Sequence, residues 1–193
     1  MKEQAHTHQT NRREMLKLSG MGVLGGVAAN ALTTGEIQAA EPAIKISHAS
    51  WIHGHSMQIE YPDRIASERR TGFSLNLEGK PGSSNWFHFA IPTPVIIDDV
   101  RLRADSIMLR FKTGSVDAFV RDVHVYDGER LIAAHNGVNL SKDNFFVRLV
   151  VPDRPEMLWG LGISIGVGFG VEMMDHHIEF FAAGCDFVIP KLP

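Results

Sequence analysis

The sequence has little cysteine, no long apolar run and no excess of charge of either sign. Only one of its 193 residues is a cysteine, Cys185, so no disulfide can form within the chain. This cysteine lies in the apolar stretch FFAAGCDFVIP, which predicts a buried thiol that packs as a small hydrophobic side chain. The formal net charge of −3 provides no basic footprint for a nucleic acid. A hydrophobic fraction of 44% and a charged fraction of 21% are typical of a packed globular chain.

Signatures of common enzyme and nucleotide sites are also lacking. We find no G-x-G-x-x-G or Walker motif, and no alternation of strands with helices of the βαβ kind. We find no nucleophile elbow, no H-E-x-x-H helix and no pair of carboxylates placed for acid–base chemistry. These absences favour a binding or interaction protein over an enzyme.

The first 40 residues differ from the rest of the chain. They contain the pair Arg12-Arg13, then a glycine-rich apolar run without charge over residues 18–34, then small residues before Pro42. A basic, then apolar, then small-residue order is the pattern of a secretory signal. The apolar run is too short and too rich in glycine to span a membrane as a helix.

This segment resembles a twin-arginine signal, for which the family pattern is Ser/Thr-Arg-Arg-x-Phe-Leu-Lys. Here the stretch reads NRREMLK over residues 11–17, so the two arginines, Leu16 and Lys17 match, whereas Asn11 and Met15 depart from the pattern. The resemblance implies that the twin-arginine machinery exports an already folded chain to the periplasm or beyond. Cleavage after residue 40 would leave a mature domain of residues 41–193, which is long enough for a single core and has no membrane span.

After Pro42 the sequence predicts strands throughout. Stretches such as GFSLNLEG, SIMLRFKTG and NFFVRLVVP alternate apolar and polar residues, and turn residues separate them at short intervals. The stretch VRDVHVYDGERLIAAH predicts a hairpin that turns near Asp127-Gly128, and YPDRIASERRTG predicts a helical turn or long loop. About eight or nine such strands predict a single-domain, all-β fold, an antiparallel β-sandwich of jelly-roll type.

One predicted strand, LGISIGVGFGVE, is unusual because one of its faces is almost bare backbone. Its apolar face consists of Leu161, Ile163, Ile165, Val167, Phe169 and Val171, and its bare face of Gly162, Ser164, Gly166, Gly168 and Gly170. Glycine weakens a strand unless something must approach its backbone closely. A large side chain is the favoured occupant of this glycine face, and the candidates are Trp51, Trp86 and Trp159. The two other candidate occupants of this face are a ligand and a neighbouring subunit.

Trp86 and His88 fall on the face of their strand opposite to the core-facing Phe87 and Phe89. An aromatic ring can stack on a sugar while a histidine supplies a hydrogen bond. Together with Trp51, these two residues form the favoured binding set for a carbohydrate or another small polar ligand. The favoured function is therefore an exported binding or interaction module that needs no cofactor. A neighbouring strand face, interpreted as a solvated surface, carries Asp122, His124 and Tyr126.

A metal site is the first alternative. The spacing His53-x-His55-x4-Glu60 resembles the first metal motif of cupins, a family of β-sandwich barrels in which these residues bind a metal. His53 and His55 would share one face of a strand, and His88 would be the later histidine of that family. The resemblance implies a metalloprotein or metalloenzyme that holds a divalent transition metal such as Zn, Fe, Cu or Ni.

A structural subunit that assembles with its own copies through the glycine face is the second alternative. Beyond the motifs above, WIHGHSMQIE, NWFHFAIPTPVI and FFAAGCDF resemble segments of exported bacterial β-sandwich proteins. This resemblance implies a fold and no particular activity.

Overall fold

The computed structural model describes residues 45–142, 146–172 and 174–189, so the segment predicted to be a signal peptide lies outside it. Within these ranges the chain forms thirteen β-strands, two single-turn 3₁₀ helices and no α-helix. The strands are β1 (Ile46–His53), β2 (Gln58–Ile59), β3 (Ile65–Arg70), β4 (Leu75–Gly79), β5 (Ser84–Ile91), β6 (Ile96–Ile97), β7 (Val100–Arg101), β8 (Arg103–Thr113), β9 (Ala118–Asp127), β10 (Arg130–His135), β11 (Val147–Val150), β12 (Leu161–Phe169) and β13 (His177–Val188). None of the described segments is a helix long and apolar enough to cross a membrane.

The strands form two antiparallel sheets that pack face to face. The first sheet has the order β11-β8-β13-β4-β3, and β1 also pairs with β13. The second sheet has the order β10-β9-β12-β5-β2, and β6 with β7 forms a separate two-stranded ribbon. The predicted antiparallel β-sandwich is therefore confirmed. The strand count exceeds the expected eight or nine because strands of two residues, such as β2, β6 and β7, are too short to show a periodicity.

The core lies between the two sheets and is built from their inward-facing residues. Phe87 and Phe89 of the second sheet pack on Phe180 of the first, with ring centroids 5.2 and 5.9 Å apart. Ile163 and Ile165 of β12 are fully buried beside them, as the alternation predicts. Fully burying a side chain of this size stabilises the fold by about 1.5–3 kcal/mol.

The thiol of Cys185 lies within this sandwich and is fully buried, which confirms the interpretation as a small hydrophobic side chain. Burial raises its pKa far above the ordinary value, and the nearby carboxylates of Asp186 and Asp105 act in the same direction. The side chain therefore stays in the unreactive thiol form.

The structure corrects the expectation for the stretch SWIHGHSMQIE. Strand β1 ends at His53, and residues Gly54–Ser56 form a 3₁₀ turn, so His53 and His55 do not share a strand face. The turn lies where Gly54 packs directly on the backbone of Phe180, with no room for a side chain. Tertiary contact therefore interrupts a stretch whose local pattern favours one continuous strand.

The structure also bears on the predicted hairpin, the predicted helical turn and the end of β12. The hairpin is confirmed, since β9 and β10 pair around Gly128, which has a left-handed φ of 60°. The helical turn is confirmed at Pro62–Arg64, but the residues after it form strand β3 rather than a long loop. Val171 is 78% exposed because β12 ends at Phe169, so it does not belong to the apolar face.

Candidate functional site

The outer face of the second sheet carries a group of polar and aromatic side chains at the middle of its three central strands. In the register of the sheet, Ser164 of β12 lies between His88 of β5 and His124 of β9. In the next row, Gly166 lies between Trp86 and Asp122. All but Gly166 of these residues are partly exposed to solvent. We call Trp86, His88, His124, Ser164 and the adjoining Glu60 the Trp86 platform.

Trp86 covers the glycine face at its centre. A Cβ atom on Gly166 would lie 3.1–3.3 Å from three carbons of the six-membered ring of Trp86. The Trp86 ring also reaches His124 on the far side of β12, at a centroid separation of 5.0 Å and an interplanar angle of 42°. The indole therefore crosses β12 with its position set by the bare backbone beneath it. This is the aromatic cover that the sequence favoured.

The remaining glycines of this face fall into a covered end and an open end. A Cβ atom on Gly168 would lie 2.7 Å from the ring of Phe119, and one on Gly170 would meet the carboxylate of Asp117. Near Gly162, by contrast, Tyr126 Cβ at 4.0 Å is the nearest neighbour among the described residues. Gly162 and Ser164 therefore form an open floor beside the covered end.

A chain of hydrogen bonds connects Glu60, His88 and Ser164. His88 Nδ1 lies 2.9 Å from Ser164 Oγ, and His88 Nε2 lies 3.0 Å from Glu60 Oε2. A hydrogen bond from Tyr61 is the main reason why the pKa of Glu60 lies below its usual value. Burial acts in the opposite direction, whereas His88 and the charge of Arg64 lower the pKa further. Glu60 is thus an ionised acceptor at neutral pH.

The ionised state of Glu60 assigns the proton on His88. A carboxylate can only accept, so neutral His88 donates its Nε2–H to Glu60 and keeps a lone pair on Nδ1. Ser164 Oγ then donates its proton to Nδ1. A serine, a histidine and a carboxylate in this order form the arrangement of a nucleophile, its base and the group that orients the base.

Ser164 was missed in the sequence analysis although a signal was present. Residues 162–166 read Gly-Ile-Ser-Ile-Gly, which is the G-x-S-x-G spacing of a nucleophile elbow. The strict period of two predicts a strand, and the structure shows that Ser164 does lie in the middle of β12. The spacing is therefore present without the strand-to-helix turn that usually accompanies it.

Trp51 does not join Trp86 and His88. It belongs to β1 of the first sheet, where its ring lies over Gly184, with 2.6 Å between a Cβ atom on that glycine and Trp51 Cδ2. Its ring centroid is 6.4 Å from that of Phe146. The predicted binding set is thus divided between the two sheets. Trp51 lies on the first sheet, whereas Trp86 and His88 lie together on the second.

The residues considered as metal ligands are not brought together either. His55 Nε2 lies 2.6 Å from the carbonyl oxygen of Thr71, so this nitrogen carries a proton and has no lone pair for a metal. His53 Nδ1 accepts a hydrogen bond from the backbone of His55, whereas Glu60 and His88 pair on the second sheet. Within the described ranges, no three His, Cys, Asp or Glu side chains are grouped so that they could hold a metal ion.

Tyr126 extends the Trp86 platform next to His124, although the sequence favoured a solvated surface for both residues. His124 Nε2 lies 2.8 Å from Asn136 Oδ1, and its ring is 6.4 Å from that of Tyr126 in an edge-on arrangement. Asp122 is held beside them by Arg121, at 2.5 Å, and by the backbone N–H of Gly137. Burial acts to raise the pKa of Asp122, but these two hydrogen bonds, together with the charges of Arg121 and His124, outweigh it and lower the pKa.

Comparison with known proteins finds distant structural likenesses. No curated protein matches the sequence. A family 29 carbohydrate-binding module from Piromyces equi is 14% identical, with a TM-score of 0.36, covering 72% of this chain and 91% of that module. A family 27 carbohydrate-binding module from Caldicellulosiruptor saccharolyticus, solved with mannohexaose, is 10% identical, with a TM-score of 0.38, covering 76% and 99%. A Stig cyclase from Fischerella sp. TAU is 15% identical, with a TM-score of 0.35, covering 76% and 91%.

The sequence itself gives a direct family assignment. Residues 46–188, which span all thirteen strands, match the family of unknown function DUF6623. Because the match covers most of the chain, the protein belongs to the DUF6623 family.

Proposed function

We propose that this protein is a binding module whose Trp86 platform holds a carbohydrate ring or another small, hydroxyl-rich ligand. A sugar presents C–H groups that pack on an aromatic face and hydroxyl groups that need hydrogen-bond partners at its edge. The platform offers both kinds of contact on one sheet face. The partly exposed indole of Trp86 supplies the apolar surface, and the chain from Glu60 through His88 to Ser164 supplies the polar groups.

The observation that carries this proposal is the fixed position of Trp86. The indole rests on Gly166 and its ring lies against His124, so it needs little further ordering when a ligand stacks on it. Ordering a mobile side chain costs about 0.5–1.5 kcal/mol on binding, and a fixed ring avoids much of that cost. A tryptophan side chain that is surrounded by solvent and free to move would not have this advantage.

The neighbouring polar groups would set which edge of the ligand faces β12. Ser164 Oγ donates to His88 and keeps lone pairs that can accept from a ligand hydroxyl. The open floor at Gly162 leaves space for such a group next to Ser164. The ligand would therefore be oriented by Ser164 and stacked by Trp86.

Titration of the protein with a panel of neutral oligosaccharides by calorimetry tests this function. Trp86→Ala is expected to weaken binding by at least about tenfold, since an aromatic contact contributes about 0.5–1.5 kcal/mol beyond the area it buries. Trp159→Ala is the matched control, because Trp159 is 73% exposed and packs on Gly128 instead. Equal losses in the two variants, or no binding of any hydroxyl-rich ligand, would contradict the proposal.

We also propose that the module works outside the cytoplasm, after export through the twin-arginine machinery. The support is the sequence around Arg12-Arg13, the small residues before Pro42, and the folded domain that follows.

A further inference from the structure

Three groups on the Trp86 platform form a hydrogen-bonded series whose order also suits nucleophilic catalysis. Ser164 Oγ, His88 and Glu60 are connected by contacts of 2.9 and 3.0 Å, yet they come from β12, β5 and the segment after β2. The side chains of His88 and Glu60 are 39% and 37% exposed, so a ligand can reach the series from solvent. A reacting serine requires a base within this distance and a group that holds the base in place.

We propose that Ser164 is an activated nucleophile that accepts an acyl group from an ester, with His88 as its general base and Glu60 as the group that orients His88. Glu60 stays ionised and keeps the proton of neutral His88 on Nε2, which leaves the Nδ1 lone pair facing the Ser164 hydroxyl. In the Ser-His-Asp proteases the two ring nitrogens have the opposite assignment. Either nitrogen of imidazole can act as a base, so the chemistry is retained.

The space around Ser164 suits this role. Its two strand neighbours on the same face are Gly162 and Gly166. Among the described residues, the atom nearest to a Cβ atom placed on Gly162 is Tyr126 Cβ, at 4.0 Å. An acyl group can therefore approach Ser164 Oγ from the side of Gly162, while Trp86 closes the side of Gly166. The substrate class that fits is a small ester, and an ester carried by a hydroxyl-rich ligand would be placed here by Trp86.

Water is the only co-reactant that this acyl transfer needs. Ser164 Oγ attacks the carbonyl carbon and forms a C–O bond while its proton passes to His88 Nδ1. The carbonyl oxygen briefly carries the negative charge. When the carbonyl re-forms, the ester C–O bond breaks, and the leaving alkoxide takes the proton from Nδ1 and departs as an alcohol. Water then attacks the acyl-serine by the same proton path and releases a carboxylic acid.

The backbone around Ser164 predicts that both halves of this reaction are slow with an ordinary ester. β12 is paired on both sides, to β5 and to β9, so its amides are taken up by the two ladders and are not free to stabilise the oxyanion. Removing a single oxyanion donor in a serine protease costs about 10²–10³-fold in rate. An activated ester, whose leaving group departs easily, is therefore expected to acylate Ser164 faster than water hydrolyses the acyl-serine.

Labelling of the folded protein with a fluorophosphonate probe tests the proposal. The Oγ–P bond forms, the P–F bond breaks, and fluoride leaves as the serine proton passes to His88. The expected result is one adduct per chain, located at Ser164 by mass spectrometry of the digested protein. With p-nitrophenyl acetate, a burst of about one equivalent of nitrophenol should precede slow turnover.

The variants separate an activated serine from an accessible one. His88→Ala is expected to slow labelling by at least about tenfold, since a general base contributes about 10²–10⁴-fold. Ser84→Ala is the matched control, because Ser84 is a partly exposed serine of the same sheet, opposite Gly168, and its loss should leave labelling unchanged. Circular dichroism of each variant checks that the fold is retained.

Two results would overturn the inference. One is a folded wild-type protein that gives no adduct at Ser164, and the other is a labelling rate that His88→Ala leaves unchanged. The inference does not depend on sugar binding, since the probe carries no sugar. Labelling without any carbohydrate affinity would contradict the proposed function alone, whereas affinity without labelling would contradict only the nucleophile.

Discussion

At the scale of single residues, Asp127 shows how one buried carboxylate can organise a loop. The side chain is fully buried and accepts hydrogen bonds from the backbone N–H groups of Leu158, Trp159 and Gly160, at 2.8–3.1 Å. Arg130 adds a fourth contact at 3.2 Å. Burial acts to raise the pKa of Asp127, but the three backbone hydrogen bonds together with Arg130 outweigh it, so the pKa lies below its ordinary value. The carboxylate therefore holds the segment that leads into β12.

Asp127→Asn is expected to lower the free energy of unfolding by about 1–3 kcal/mol at pH 7, because an amide cannot accept all of these hydrogen bonds. The folded pKa lies below the unfolded value of about 3.9, so the charged group contributes stability above that pH. This contribution is lost as the pH falls through the folded pKa. The difference between variant and wild type should therefore narrow below about pH 4.

Urea unfolding at pH 7 and pH 3.5 measures this difference. Asp63→Asn is the control, since Asp63 is exposed and its substitution should change the free energy of unfolding by less than about 0.5 kcal/mol. A difference for Asp127→Asn that is equally large at both pH values would show that its charge is not the stabilising feature.

At the scale of elements, the contacts of β12 explain why this strand is stable although it is rich in glycine. Its inner face buries Leu161, Ile163 and Ile165 in the core, while its outer face admits Trp86 and Phe119 close to the backbone. Pairing with β5 and β9 on both sides holds the backbone in place. The loss of side chains on the outer face is thus offset by rings that belong to neighbouring strands.

Gly166→Val should lower the free energy of unfolding by about 1–3 kcal/mol, because the new methyl groups would displace the ring of Trp86. Gly162→Val should be close to neutral, since that position is open and valine favours a strand. Denaturant midpoints of the two variants against wild type measure the contrast. An unchanged midpoint for Gly166→Val would mean that Trp86 does not rest on this glycine in solution.

At the scale of the whole molecule, the sequence predicts separate roles for the domain and the N-terminal segment. All thirteen strands lie between Ile46 and Val188, and the family match covers the same span. Residues 1–40 carry the pattern of an export signal and lie outside the described residues. The prediction of a signal peptide therefore rests on the sequence alone.

The exported protein is expected to begin near Ala40 or Glu41, because small residues precede Pro42 as in a cleavage site. N-terminal sequencing of exported material measures this directly, and an intact Met1 there would contradict it. Replacing Arg12 and Arg13 together by lysine should abolish export, since the pair is the recognised feature of the route. Export that persists in this variant would indicate another pathway.

The sequence by itself determined which residues of the longer strands, such as β5 and β12, face the core, because alternation along one strand is local and has a period of two. It predicted in this way the antiparallel sandwich, the buried side of β12 and its bare side. It did not predict that the stretch around Gly54 turns, since the cause is contact with Phe180, a residue 126 positions later.

Only the tertiary structure decided which side chains meet across the strands. Ser164 lies 76 positions from His88, and His88 lies 28 positions from Glu60, yet register and strand order place the three in one chain of hydrogen bonds. The same strand order places Trp51 and Trp86 on different sheets. The physical reason is that pairing between distant strands follows from how the whole core packs, whereas the pattern within a strand does not specify its neighbours.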